Sequence, residues 1–203
     1  MVERLQAALE QPLPGASAHA LMSPRPRREW PPGFNRDYIR HAAGLLLLVP
    51  IDDRAHIVLT VRAEELDRHG GQVSLPGGVA EAGETFEQAA LREAHEEIAL
   101  PLDEVRMLGA LTPVDIPVSG FRLHPVVAMV GARPTFTPSD GEVARILEVP
   151  VAELVDPSRR GSTRRVRDGL TLDVPAFHVA GVEIWGATAM VLAEFLVVSG
   201  WSP

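Results

Sequence analysis

Glu93, Glu96 and Glu97 stand at i, i+3 and i+4 in the segment GVAEAGETFEQAALREAHEEIAL, residues 78–100. A helix turns about 100° per residue, so three carboxylates at this spacing share one face. Like charges so placed destabilise an isolated helix by roughly 0.2–0.5 kcal/mol per pair. Such a face calls for a compensating cation or for solvent. Mg²⁺ and Mn²⁺ prefer carboxylate oxygens, keep several waters and bridge to substrate phosphates. Glu93, Glu96 and Glu97 are therefore candidate metal ligands, with Mg²⁺ or Mn²⁺ as the expected cofactor. The competing explanation is a solvated acidic face, the ordinary reading of a Glu-rich helix.

The elements that position these groups can be read from pattern. A helix is expected at 86–98, with Phe86, Ala90, Leu91, Ala94 and Ile98 facing a core and the glutamates facing out. Pro76-Gly77-Gly78 forms a turn upstream, leading through a short strand and a loop into that helix. Strands are expected at 42–50, 56–62, 105–111, 123–130 and 144–150, the last feeding a helical turn at 151–154. A hairpin is expected over 161–178 with Asp168-Gly169 as its turn, and a closing helix at 187–199. The Pro-rich residues 1–35 predict one short helix at 3–10 and then an extended arm, because each Pro removes a donor and disfavours helix before it. Residues 36–203 are expected to form a single domain. Mixed strands with helices at both ends predict an α/β (α+β) sandwich, a mixed sheet covered on both faces.

Taken from Gly78, the spacing runs Gly, five residues, Glu84, seven residues, Arg92-Glu93, Ala94, one position, Glu96-Glu97, one position, Ala99, Leu100. It resembles the Nudix box, with Ala99 where the pattern has Gly. That replacement is mild at negative φ and costly in the left-handed region that Gly tolerates. The resemblance implies a Nudix-type α/β/α sandwich and metal-dependent hydrolysis of a diphosphate. It also implies metal binding by Glu93, Glu96 and Glu97 with the Gly77 carbonyl, and carboxylates oriented by Arg92. Glu93, Glu96 or a Glu outside the helix such as Glu142 would accept the proton of the attacking water. Glu142 in SDGEVARI is a weaker candidate for an extra metal ligand or a base, because a Glu in a surface loop is common.

The stretch from Val58 to Gly78 further resembles the coenzyme A pyrophosphatase branch of that family, through Arg62, Ala63, Gly71 and Leu75-Pro76-Gly77-Gly78. Two positions depart from the branch pattern. Asp67 stands where a second Arg is expected, with Arg68 beside it, and Leu75 replaces an aromatic. The segment Glu183-Ile184-Trp185-Gly186-Ala187-Thr188-Ala189 also resembles this branch, so the likeness spans about 37–200. Arg62, Arg68, Gly71 and Gly78 are the implied substrate-binding residues. Arginine suits this substrate because coenzyme A carries a 3′-phosphate beside its diphosphate, and guanidinium grips phosphate bidentately. The implied products are 3′,5′-ADP and 4′-phosphopantetheine, acylated if acyl-CoA is the substrate. Another nucleoside diphosphate derivative, such as ADP-ribose or NADH, is the nearer alternative. A Nudix-fold binding module without catalysis is the remote one.

Other residues have plainer readings. His95 should point away from the glutamates into solvent, His69 suits a loop, and His124 and His178 suit structural positions in strands. Trp185 reads as core packing ahead of a nucleobase platform, and Arg159, Arg160, Arg164, Arg165 and Arg167 as a solvated loop. The chain lacks Cys, which excludes a disulfide and a thiolate metal site and fits a reducing compartment. A net charge of −8 argues against general binding to nucleic acid or anionic membranes. The longest apolar run, 42–51, is too short to cross a bilayer. No secretory signal is apparent at the N-terminus, so a cytoplasmic location is expected. Expected partners are a small-molecule substrate and a second copy in a homodimer.

Overall fold

Leu45, Leu46 and Leu47 are all fully buried, which a strand achieves only when both of its faces are covered. The structure, a computed structural model, describes residues 2–63, 71–167 and 169–201. Its strands are β1 (Arg40–Ile51), β2 (Arg54–Arg62), β3 (Val73–Ser74), β4 (Gly77–Val79), β5 (Val105–Ala110), β6 (Val114–Ile116), β7 (Phe121–Val130), β8 (Val143–Pro150), β9 (Arg160–Arg167), β10 (Leu170–Val179) and β11 (Val182–Trp185). Its helices are α1 (Val2–Leu9), α2 (Ala16–Met22), α3 (Phe86–Ile98), α4 (Val151–Val155) and α5 (Gly186–Val198).

The central order is β3-β2-β1-β7-β5, with β4 on β1, β6 on β7 and β8 on β2. β1 and β7 are parallel while the other pairings are antiparallel, so the sheet is mixed as expected. The tight β1–β2 turn places Asp52 and Asp53 at φ 48° and 59°, the left-handed pair that matches strand twist in a two-residue hairpin. Strands β9, β10 and β11 form a separate three-stranded sheet.

The two faces of β1 bury against different partners. Ala43, Leu45 and Leu47, with Val126, Ala128 and Val130 of β7, pack on Ala89, Ala90, Ala94 and Ile98 of α3. Leu46, Ile57, Leu59 and Val127 pack on the other side with Leu192, Phe195 and Leu196 of α5 and Phe177 and Ile184 of the small sheet. Helix α5 is apolar on every side and buried from Thr188 to Leu196, as a helix without a polar face must be. The result is the α/β/α sandwich.

The N-terminal segment departs from expectation. Instead of an extended arm after one helix, it forms a second helix, α2, with Ala18, His19 and Met22 buried. A seven-residue helix is marginal alone, and tertiary bonds hold it. The carboxylate of Glu194, fully buried in α5, accepts from the Gly15 amide (2.9 Å), the Thr112 amide (3.0 Å) and the Thr112 hydroxyl (2.6 Å), and faces His19 Nε2 at 2.9 Å. Among the described residues no helix is long and apolar enough to cross a membrane.

Candidate active site

The helix that carries the glutamates has its boundaries fixed at both ends. At its start the Thr85 hydroxyl accepts from the Gln88 amide (3.2 Å) while the Gln88 side chain accepts from the Thr85 amide (2.9 Å), a capping box. At its end Ala99 adopts φ 54° and ψ 39°, the left-handed conformation. The Gly-to-Ala change is thus the costly case. His95 contributes a compensating bond, its Nδ1 donating to the Leu100 carbonyl at 2.9 Å, and the exposed ring points away from the glutamates as expected. Ala99→Gly should raise stability by about 0.5–1 kcal/mol, since it relieves left-handed strain at some cost in unfolded-state entropy. An unchanged or lowered urea midpoint would contradict this account of the cap.

Two further amides close the helix. Ser139 donates to the Glu97 carbonyl (2.9 Å) and Thr137 to the Ile98 carbonyl (3.1 Å), satisfying acceptors that a helix terminus otherwise leaves open. The same loop continues to Glu142, whose carbonyl accepts from Ala63, the residue after Arg62 (2.9 Å). Backbone bonds therefore tie the end of α3, the Glu142 loop and the end of β2 together. Residue spacing alone gives no signal for this clamp, because it is made by main-chain groups 40 or so positions away.

Arg92 organises the acidic face. Its Nε and Nη2 donate to the two Glu84 oxygens at 2.8 and 3.1 Å, a bidentate pairing. Its Nη1 donates to Glu93 Oε1 at 2.9 Å and reaches Glu96 Oε2 at 3.4 Å, while Nη2 also bonds the Val79 carbonyl at 3.1 Å. Hydrogen bonds from Arg92 hold the half-buried Glu84 carboxyl below the usual carboxylate range. Glu84 was not singled out as a site residue from the sequence, although its place in the box was the available signal.

Glu97 differs from its neighbours. It is 6% exposed, whereas the Glu96 side chain is 56% exposed. The Gly77 amide donates to Glu97 Oε2 at 3.0 Å. Burial pushes the Glu97 carboxyl up to about 7; the Gly77 amide and Arg62 oppose the shift, and Glu93 and Glu142 add to it. Those electrostatic effects put Arg62, Glu93, Glu97 and Glu142 in one neighbourhood. The glycines make room: a Cβ at Gly78 would overlap the Glu93 carboxylate, and one at Gly77 would overlap the Ala43 carbonyl. Gly71, at φ 72°, donates its amide to the Arg62 carbonyl at 3.0 Å. Arg68, Asp67 and His69 lie outside the described residues.

A divalent ion fits the chemistry of this donor set, a buried carboxylate beside a second carboxylate seated on a glycine. The three glutamates do not form a ready-made ligand triad, however. Among the described residues no three acidic or histidine side chains meet at coordinating distance. Glu93 and Glu96 lean on Arg92, while Glu97 turns to the Gly77 amide. The expected convergence thus holds for the helical face but not for the carboxylate oxygens.

Residues 40–168 match the model of the NUDIX domain. The chain belongs to the Nudix family. It is 34% identical over 174 residues to an uncharacterized Nudix hydrolase, NudL, of Enterobacter sp. strain 638, covering 85% of this chain and 90% of that one. The NudL protein of Yersinia pestis strain Pestoides F is 38% identical over 149 residues, 72% of this chain and 74% of that one. Among solved structures, a Nudix hydrolase of M. smegmatis, RenU, superposes with a TM-score of 0.58 at 24% identity, covering 81% and 88% of the two chains. A MutT protein of Methanosarcina mazei gives 0.52 at 15% identity, covering 80% and 96%. This protein is a Nudix hydrolase, a class that generally uses divalent metal ions.

The other sequence readings meet the structure as follows. His124 is half-buried and stacks on Phe86 at 3.5 Å between ring centroids, with His41 Nδ1 2.8 Å from its Nε2. Burial, followed by the nearby His41 and Arg122 charges, pushes the His124 imidazole down to about 4. Trp185 is half-buried with the Arg165 guanidinium 4.3 Å from its ring centroid, and Arg165 also bonds Glu183 at 2.6 Å. His178 stands 3.7 Å from Glu183. Thr188, in the first turn of α5, donates to the Val73 carbonyl at 3.0 Å and so braces the strand that leads into Pro76-Gly77-Gly78.

Proposed function

We propose that this Nudix hydrolase cleaves the diphosphate of coenzyme A or acyl-CoA, giving 3′,5′-ADP and 4′-phosphopantetheine or its acylated form. The supporting observation is Arg62. It ends β2 beside Gly71 and acts electrostatically on Glu97, so a guanidinium and the acidic face border the same space. The branch-like stretch from Val58 to Gly78 supplies the substrate class. Residues 36–203 are the proposed catalytic unit, cytoplasmic and paired with a second copy in a homodimer, with α1 and α2 packed on it.

In this reading Glu93, Glu96 and Glu97, with the Gly77 carbonyl, hold Mg²⁺ or Mn²⁺. When bound, the ion supplies Lewis-acid polarisation of phosphoryl oxygens and a more acidic water. Arg92 keeps Glu93 and Glu96 in place through charge-assisted bonds, and Glu84 keeps Arg92 in place. Glu93, Glu96 or Glu142 takes the proton of the attacking water. Arg62 and Arg68 grip the substrate phosphates, and Gly71 and Gly78 leave the backbone open to them.

Mass spectrometry of the products formed from coenzyme A with Mg²⁺ or Mn²⁺ tests both the substrate and the bond cleaved. Coenzyme A should be turned over at least about 10-fold more efficiently than 3′-dephospho-CoA, about 1.4 kcal/mol of discrimination. Equal cleavage of the two, or preference for ADP-ribose or NADH, would transfer the assignment to another nucleoside diphosphate derivative.

A further inference from the structure

Beside the first turn of α3 the sheet carries a pair of histidines that the diphosphate site does not use. Ala43 of β1 and Val126 of β7 pack on the α3 side of the sheet. Side chains alternate along a strand, so His41 and His124, two residues before each of them, stand on that side too. His41 Nδ1 lies 2.8 Å from His124 Nε2, with ring centroids 5.1 Å apart. The half-buried His124 ring is held against Phe86, the first residue of α3, at 3.5 Å between centroids. His41 is exposed, so its ring has room to tilt. The Arg122 charge that acts on His124 is offset by Asp115, which accepts from Arg122 Nε at 2.6 Å and from Nη2 at 3.1 Å.

We propose that His41 Nδ1 and His124 Nε2 bind a divalent ion of tetragonal preference, Cu²⁺ or Ni²⁺, at a site separate from the acidic face. The spacing of the two nitrogens selects the ion. Imidazole nitrogen binds such ions at about 2.0 Å, so two at neighbouring corners of a square lie about 2.8 Å apart, whereas tetrahedral Zn²⁺ spreads them to about 3.3 Å. One of the two nitrogens donates to the other in the hydrogen bond; on coordination that proton moves to the second nitrogen of its own ring, and both imidazoles stay neutral. Burial, followed by the His41 and Arg122 charges, pushes the His124 imidazole down to about 4, so protons do not compete for it near neutral pH. Among the described residues no third acidic or histidine side chain meets the pair at coordinating distance, which leaves the other corners to water. Imidazole suits Cu²⁺ and Ni²⁺ while carboxylate suits Mg²⁺ and Mn²⁺, so the two sites select different ions. Phe86 and Glu93 stand seven residues apart on α3, about 10 Å, so one ion cannot bridge the histidines and the acidic face.

Titration of Cu²⁺ into the full-length protein, with Mg²⁺ in excess to occupy the acidic face, tests the site by electron paramagnetic resonance. The first equivalent is expected to give an axial spectrum split by two imidazole nitrogens. Its affinity should exceed that of Zn²⁺ at least about 10-fold. His41→Gln and His124→Gln should each weaken Cu²⁺ binding at least about 10-fold and remove the two-nitrogen pattern, whereas Glu97→Gln should leave both unchanged. His41 is exposed, so its variant keeps the fold and decides the matter even where His124→Gln destabilises the chain. Three outcomes would overturn the proposal: unaltered affinity or spectrum in His41→Gln, loss of the signal on Glu97→Gln, or displacement of Cu²⁺ by an equal concentration of Zn²⁺.

Discussion

Replacing Glu97 by Gln is expected to lower turnover by at least about 10³-fold, some 4 kcal/mol of transition-state stabilisation, while leaving the unfolding midpoint unchanged. The two halves of that expectation have separate causes. Gln keeps the shape of the side chain and an oxygen that accepts from the Gly77 amide, so the contact between α3 and the Gly77-Gly78 turn survives. What Gln lacks is charge. Glu97 is the buried member of the acidic trio, and a buried carboxylate binds a cation with little competition from water. Glu96, more than half exposed, has less to offer by the same reasoning. Two measurements check the result together: steady-state turnover with Mg²⁺ or Mn²⁺, and Mn²⁺ affinity by electron paramagnetic resonance, which should fall in parallel. Retained turnover would remove Glu97 from the metal set. Lost turnover with intact Mn²⁺ affinity would move its role elsewhere in the site.

The same helix shows how far the sequence could be read. Its limits, 86–98, follow from Thr85 and Gln88 as reciprocal caps and from the apolar spacing of Phe86, Ala90, Ala94 and Ile98, all local signals. The β1 core strand was equally plain, because an uninterrupted apolar run has few other uses in a chain of this kind. The consequence of Ala99 was foreseen as a choice between two conformations, and only the backbone dihedral decides it. Long-range main-chain bonds were not legible. The Thr137 and Ser139 amides on the end of α3, and the Ala63 bond to Glu142, carry no residue-type signature. Helix α2 was missed for a related reason. Pro14, Gly15 and Pro24 bracket a short segment whose helicity comes from what it packs on, not from its propensity.

That dependence gives the largest stability effect. Glu194→Gln is expected to destabilise the fold by about 3 kcal/mol, within the range found when one member of a buried charged network is removed. Both Glu194 oxygens are engaged, one by the Gly15 amide and the Thr112 hydroxyl, the other by the Thr112 amide and His19 Nε2. An amide offers one acceptor and turns an NH₂ group towards donors on the other side, so at least one buried donor loses its partner. Because α2 and the Thr112 loop meet α5 through this carboxylate, amides of residues 15–22 should also exchange faster with solvent. The pH dependence carries a sign of its own. Burial alone would raise the Glu194 pKa, but the bonds from His19, Thr112 and Gly15 outweigh it and hold the carboxyl below its ordinary value of 4.5. A carboxylate depressed in the folded state contributes stability that is fully present above the unfolded pKa and is lost as pH falls through the folded one. The native protein should therefore lose stability steeply below about pH 4.5, and the Gln variant should start lower and fall less over the same range. Urea unfolding of the two proteins between neutral and acid pH measures both differences. A change under about 1 kcal/mol at neutral pH, or parallel pH curves, would show that hydrophobic packing of α2 on α5, and not the buried carboxylate, holds the N-terminal segment in place.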